Sequence, residues 1–268
     1  MSNEWKLLRM LCQRDVRILL RYKLNFVMQV VNTLLFVLGA LIFFDLVGQT
    51  TMLETVGAKN YISYMLVGVA VGGYVNVALF GSSNAITGEL ISGQIEYIFS
   101  CPVSRYKYIA ASALAQVFVA TFTFVPLMLL AVSYAGTFSL TGLLLGVGII
   151  IAQLAVLVQL GVVFAGLALV YKQISAAFGV VSMIFLLFSG TFFPLQVLPQ
   201  SAQSLALAVP TTTGLDLLRH YLLGTLTLVP TGWELTAILA EFLVLAALAM
   251  ALTRRLEDSW KRDGLSHI

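Results

Sequence analysis

The chain alternates long apolar runs with short polar segments. About 20 apolar residues are needed to cross the hydrocarbon core of a bilayer as a helix, and six runs reach that length. They cover residues 25–47, 61–80, 108–133, 141–170, 174–193 and 233–252. The pattern therefore predicts an all-α polytopic membrane protein with six transmembrane helices.

The second predicted span contains Gly68-x-x-x-Gly72. This spacing lets another segment approach a helix closely. Apolar helices also contain it by chance, so at this point the motif marks either an interface or nothing.

Residues 88–107, GELISGQIEYIFSCPVSRYK, form the most polar segment between two spans. Lipid hydrocarbon offers no partners for such groups, so we expect a water-exposed loop between the second and third spans. Within it, Glu89 to Phe99 is predicted to form a short helix, which Pro102 ends.

The N-terminal segment, residues 1–24, carries six cations, and its apolar residues recur every three or four positions. This pattern predicts an amphipathic helix in the membrane interface, with Trp5 as an anchor. The alternative is a cleavable signal peptide. The charged region is too long for that, and a span-length apolar run follows it without a small-residue cleavage site.

Residues 194–223 are apolar in part but are interrupted by Pro194, Pro199 and Pro210. The segment is too short and too broken to span the membrane. We expect a re-entrant or interfacial helical hairpin between the fifth and sixth spans, completed by a helix over residues 213–223.

The composition supports membrane insertion: 60% of the residues are hydrophobic, 10% are charged, and the mean hydropathy is +0.97. Six spans place both termini on the same side. All of the 15 Lys and Arg residues except Lys59 and Arg219 fall in segments on that side, including the charged tail 253–268. Because cytoplasmic segments carry the excess of cations, both termini are predicted to be cytoplasmic. The net charge of +3 is therefore explained by topology and does not indicate a nucleic-acid partner.

No arrangement of residues predicts an enzyme. Cys12 and Cys101 are far apart and are expected to be free thiols. His220 and His267 do not belong to a cluster of His and Cys residues at metal-ligand spacing, so no metal site is expected. The chain also lacks a G-x-x-x-x-G-K-[ST] phosphate-binding loop, so any nucleotide would bind elsewhere.

Glu241 lies about two turns inside the sixth predicted span, where a carboxylate is costly unless it is paired or protonated. It either pairs with a neighbouring group or serves proton coupling in an ion-gradient-driven secondary transporter. No second acid or base at a relay position and no repeat of the two halves support the transporter alternative.

Three stretches resemble the ABC-2 type permeases, the membrane subunits of one class of ABC exporter. The first is the basic start with Arg14-Asp15 and Arg21. The second is Glu89-x-x-x-Gly93-x-x-Glu96 followed by Cys101-Pro102-Val103-Ser104-Arg105. The third and most specific is SGTFFPLQVLP at residues 189–199, followed by Pro210 and Leu218-Arg219. Together with the six spans, the resemblance covers the chain as one transmembrane domain.

The resemblance implies several partners. A separate cytosolic ABC ATPase in two copies would hold ATP and Mg²⁺, and this chain would carry no cofactor. A second permease subunit, giving a homodimer or, if it is a different chain, a heterodimer, and membrane lipid are the other expected partners. The location implied is the inner membrane of a prokaryote, with several membrane passes.

The resemblance also implies that the loop between spans two and three docks on the ATPase. Ile91, Ile95 and Phe99 would share an apolar stripe, with Glu89 and Glu96 at its rim. The alternative is internal packing, with Glu89 paired to Arg17 or Arg21 of the N-terminal segment. The coupling residues would be Glu89, Ile91, Gly93, Ile95, Glu96, Phe99, Pro102 and Arg105, and those of the connecting helix Arg14, Asp15, Arg17 and Arg21.

An outer gate and a substrate pathway are implied in the same way. The gate would lie in the hairpin at Phe193, Pro194, Leu198 and Pro199. Polar and aromatic residues within the spans would line the pathway, unless they simply face lipid or neighbouring helices; these are Gln29, Asn32, Phe36, Asn76, Phe185, Phe188 and Phe192. A hydrophobic or amphipathic cargo such as a lipid, drug or antibiotic is expected, and a polysaccharide or lipid-linked glycan is the alternative.

Overall fold

The computed structural model describes residues 9–10, 12–14, 16–18, 21–47, 57, 60–100, 104–136, 139–171 and 175–263. These residues form helices and connecting turns, and no strand occurs among them. The predicted all-α class is therefore confirmed for the described part of the chain.

Some predicted residues lie outside that part. Asp15, Cys101 and Pro102 fall outside the described residues. The backbone of four other predicted residues is helical, but their side chains are outside the description; these are Gln29, Phe36, Glu96 and Phe99.

Nine helices of the described part can be numbered in chain order. They are α1 (Lys23–Val47), α2 (Tyr61–Ile91), α3 (Gln94–Ser100), α4 (Arg105–Ala135), α5 (Leu140–Tyr171), α6 (Ser175–Phe188), α7 (Gln200–Ala206), α8 (Thr212–Leu223) and α9 (Thr231–Asp263). A 3₁₀ turn, Leu195–Val197, precedes α7, and α2 contains a π-helical turn at Val77–Gly81. The described residues of the N-terminal segment from 9 to 21 are also helical.

In the part of the chain that the structure describes, four helices are long and apolar enough to cross a membrane. These are α2, α4, α5 and the portion of α9 up to Glu257. Helices α1 and α6 contain shorter apolar stretches, Val30–Gly39 and Ala176–Phe188. The six-span count and the re-entrant hairpin remain predictions.

Helices α2 and α5 form the centre of the bundle, and α4, α8 and α9 pack around them. Small residues allow this, because helices in lipid associate through close van der Waals packing. Gly161 on α5 is one such point. A Cβ atom there would lie 2.9 Å from Oγ of Ser82 on α2 and 3.2 Å from Cβ of Ala113 on α4.

The bundle has two chemically different ends. At the basic end, the N-terminal segment meets the end of α2 and the start of α4, through contacts of Arg14 with Glu89 and Tyr108. At the hairpin end, Nδ2 of Asn60, just before α2, donates to the carbonyl of Tyr134 near the end of α4. The segment from Ser189 to α8 lies at this second end.

A short helix is present in the segment predicted from Glu89 to Phe99, but it covers only Gln94–Ser100 and the predicted start at Glu89 is wrong. Helix α2 continues past the predicted boundary at residue 80 and ends at Ile91, because Ile86 and Leu90 pack into a core cluster at the basic end. Gly93 then adopts a left-handed conformation, with φ of +71°, which a helix does not tolerate. Helix α3 is therefore a separate element.

Two other boundaries differ from expectation. Helix α6 ends at Phe188, five residues before the predicted end of the fifth span, because Gly190 is left-handed with φ of +72°. Residues 253–263 of the predicted tail continue α9, because buried Thr253 and Leu256 extend its packed face toward the basic end.

Gly161→Val should destabilise the bundle by about 1–3 kcal/mol, because the added methyl groups overpack the junction of three helices. The matched control is Gly148→Val on the same helix, where an added Cβ meets nothing within 4 Å. Thermal unfolding in detergent would compare the two. Equal melting temperatures would contradict the packing described for Gly161.

Candidate functional site

A three-residue contact joins the elements of the basic end. Nη2 of Arg14 donates to Oε1 of Glu89 at 2.8 Å and to the hydroxyl of Tyr108 at 2.8 Å. The Tyr108 hydroxyl in turn donates to Oε2 of Glu89. The Arg14 guanidinium also lies 5.3 Å from the centre of the Tyr108 ring.

This contact fixes the last turn of α2 against α4 and the N-terminal segment. Charge-assisted hydrogen bonds are about twice as strong as neutral ones, and Glu89 is shielded by its neighbours. The sequence allowed an internal ion pair between Glu89 and the N-terminal segment. Such a pair is present, but its cation is Arg14 and not Arg17 or Arg21.

The turn that follows exposes two large apolar side chains. Ile91 ends α2 with 82% of its surface exposed, and Tyr97 on α3 is 80% exposed. Ile95 lies between them in sequence but is only 1% exposed and belongs to the core. The expected stripe shared by Ile91 and Ile95 is therefore wrong, because the left-handed Gly93 rotates α3 relative to α2. Arg105 begins α4 and is half-buried.

A cavity of about 220 Å³ lies between α1, α2, α4 and α6. It brings together three of the predicted pathway residues, Asn32, Asn76 and Phe185. Its wall also contains Ser189 and Thr191, which precede the hairpin. Phe188 and Phe192 are half-buried beside this region and are not part of the wall that the structure describes.

At the hairpin end the dominant feature is Arg219 of α8, which is only 2% exposed. Its guanidinium donates to three backbone carbonyls. Nη1 reaches Gly190 at 2.6 Å, Nη2 reaches Thr191 at 2.9 Å, and Nε and Nη2 reach Tyr64 on α2 at 3.2 and 3.0 Å. The guanidinium carbon lies 3.6 Å from the centre of the Tyr64 ring.

This arginine site explains the shape of the segment after α6. Backbone carbonyls that leave a helix in an apolar environment need donors. The planar guanidinium offers five N–H groups in a fixed fork, so it serves Gly190 and Thr191 together. The hydroxyl of Tyr61 donates to the next carbonyl, Phe192, at 3.0 Å.

The predicted gate residues follow directly from this anchored turn. Pro194 is buried, Phe193 and Leu198 are half-buried, and Pro199 is exposed. Nε2 of Gln203 donates to the Leu198 carbonyl at 2.9 Å, which ties α7 back to this turn. The arginine site thus fixes one end of the gate segment.

The Gly68-x-x-x-Gly72 spacing does mark a close approach. A Cβ atom on Gly68 would overlap the carbonyl oxygen of Thr191 and Nη2 of Arg219. A Cβ on Gly72 would lie 3.5 Å from Cγ2 of Thr191. The two glycines therefore allow the turn after α6 to pack directly against α2. Among the described residues, the motif does not mark a contact with a second transmembrane helix at this point.

Sequence reasoning missed Arg219 as a buried group and treated it as one of two cations on the outer side. A usable signal was present. A cation in a predicted membrane-embedded segment is costly unless it has partners, and the Ser189-Gly190 turn supplies carbonyls. The same reasoning was applied to Glu241, whose Oε1 accepts a hydrogen bond from the Thr213 hydroxyl at 3.1 Å.

Gly68→Ala should destabilise the protein by about 3 kcal/mol, the upper end of overpacking costs, because the new methyl group meets a backbone oxygen that cannot move aside. Gly73→Ala is the matched control, since an added Cβ there meets nothing within 4 Å on the same helix. Thermal unfolding in detergent would measure both. A Gly68→Ala protein as stable as Gly73→Ala would refute the arginine site as described.

Comparison with protein families gives a match over residues 46–251, to the model described as ABC-2 family transporter protein. The matched region extends from the end of α1 through most of α9, and it includes the arginine site and the described lining residues of the cavity except Asn32 and Thr33. A comparison with curated proteins found no match. The match covers well over half of the 268 residues, and the chain therefore belongs to the ABC-2 transporter family.

Proposed function

We propose that this chain is the permease subunit of an ATP-driven exporter that moves a hydrophobic or amphipathic molecule out across the membrane. Permeases of this family work with an ABC ATPase, which here would be a separate cytosolic subunit in two copies holding ATP and Mg²⁺. The observation that carries the proposal is the exposed apolar pair, Ile91 and Tyr97, beside the Ser92–Gly93 turn at the basic end.

Large apolar side chains exposed among polar neighbours are typical of protein contact sites. The basic end is also where cations concentrate, which favours a cytoplasmic orientation. An ATPase bound at Ile91 and Tyr97 would therefore meet the permease on the side where nucleotide is present. A second copy of the permease in a homodimer, in the inner membrane of a prokaryote, completes the proposed assembly.

Helix α2 offers a path for coupling. It runs without interruption from Ile91 at the basic end to Tyr61 at the hairpin end, and Arg14 fixes its last turn through Glu89. Its π-helical turn, Val77–Gly81, begins beside Asn76 in the cavity. Such turns are frequent at functional sites. Displacement of the Ser92–Gly93 turn would thus act on the cavity wall and on the arginine site through one rigid element.

The cavity favours a hydrophobic cargo over a glycan. Phe185, Leu186 and several valines line it together with a few polar groups. Sugar-binding channels use Trp and Tyr rings as stacking platforms, and neither residue is among the described lining residues. The pairing of Glu241 with Thr213 offers no specific support for an ion-gradient mechanism.

The double substitution Ile91→Glu and Tyr97→Glu should weaken binding of the cognate ATPase about 30-fold, the effect of losing roughly 2 kcal/mol at a contact hot spot. Nucleotide-driven transport should fall with it. Affinity measured in nanodiscs and transport in proteoliposomes would check this.

Tyr134→Glu is the control at the opposite end of the bundle, where Tyr134 is 54% exposed and no partner bound at the basic end can reach it. It should retain ATPase binding and transport. If the double variant bound the ATPase as tightly as Tyr134→Glu, the docking site would lie elsewhere. If the permease transported cargo on an ion gradient without any ATPase, the proposed function would be wrong.

A further inference from the structure

A groove of about 650 Å³ lies between the N-terminal segment and the start of the bundle. Its volume is within the roughly 300–1,000 Å³ of ordinary ligand sites. One wall is a single face of the N-terminal segment, because its residues are spaced by three and four positions. These residues are Arg9, Cys12, Gln13, Val16 and Arg17.

The floor of the groove is apolar and belongs to α4 and α5. It contains Leu114 and Phe118, which are about half exposed, and Val158 of α5. Small side chains at Ala110 and Ala111 leave the space between them and the N-terminal segment. From Ala110 to Phe118 the floor rises about 12 Å along the α4 axis, from the basic end toward the middle of the bundle.

The wall formed by the N-terminal segment has a cation at each end. Arg9 and Arg17 are both exposed, and no acidic side chain among the described residues forms an ion pair with either. Arg17 is eight positions after Arg9, so the two lie about 12 Å apart along the helix. Arg14, in contrast, points to the opposite side of the segment and is engaged by Glu89.

We propose that this groove binds an anionic phospholipid of the adjoining leaflet. Its phosphate-bearing headgroup lies between Arg9 and Arg17, and an acyl chain runs down the floor past Leu114 and Phe118. A cationic rim at the level of an interfacial helix above an apolar floor that leads into the membrane matches a lipid in both charge and polarity. A soluble peptide matches the floor less well, because the floor belongs to two helices that are long and apolar enough to cross a membrane.

The bound lipid would act as a structural part of the basic end. One face of the N-terminal segment would rest on the lipid, while the other face holds Glu89 and Tyr108 through Arg14. Anionic lipid thus stabilises the position of the last turn of α2. This inference does not depend on the identity of the ATPase or of the cargo.

Lipid retention by the purified full-length chain tests the proposal, with phosphatidylglycerol and phosphatidylcholine as probes in native mass spectrometry. The wild type should retain one phosphatidylglycerol in preference to phosphatidylcholine. The double variant Arg9→Gln and Arg17→Gln should lose about 30-fold in phosphatidylglycerol affinity, since each cation near an anionic lipid contributes about fivefold. Leu114→Trp, which fills the floor without changing charge, should also reduce retention.

The matched control is Arg254→Gln with Arg255→Gln, which removes two exposed cations of α9 at the same end of the bundle. It should keep the wild-type preference. An equal loss in this control would show only general attraction of anionic lipid and would overturn the proposal. Unchanged lipid retention in Leu114→Trp would also overturn the proposal. If Leu114→Trp broke a dimer and left lipid retention unchanged, the groove would be assigned to a second copy of the chain.

Discussion

A buried guanidinium organises one half of this bundle. Arg219 is removed from water, and that is tolerable only because backbone carbonyls of two other segments surround it. Binding the guanidinium in this way sets three conditions on the rest of the chain. The carbonyls must leave α6 at Gly190, α2 must present Tyr64 as a stacking surface, and Gly68 must carry no side chain. The segment from Ser189 to α8 takes its position from these contacts.

Helix α2 connects this arrangement to the opposite end. Neighbouring helices bury most of the surface of α2, so this helix is part of the bundle core. One end bears on Arg219 and the other is held by Arg14 through Glu89. The cavity lies between these two cations, beside the π-helical turn. The proposed function needs such a link, because nucleotide and cargo would bind at places far apart.

Arg14 and Arg219 each hold separate segments of the chain together, but they bind different groups. Arg14 is partly exposed and meets a carboxylate, so it joins elements at the water interface where an ion pair is tolerated. Arg219 is buried and donates to neutral carbonyls, whose dipoles stabilise the cation. Both groups position segments of the bundle relative to one another.

Hydropathy was enough to predict helices, their approximate bounds and the membrane environment. A run of about 20 apolar residues is unfavourable in water and is stable as a helix in the hydrocarbon core of a membrane. Motif spacing was enough to suggest the family. Neither hydropathy nor motif spacing revealed that α2 extends to Ile91, that Ile95 is buried although Ile91 is exposed, or that Arg219 is buried. These depend on a left-handed glycine and on carbonyls contributed by segments 28 to 155 residues distant. Such contacts arise only when the folded chain brings those segments together, so local pattern cannot specify them.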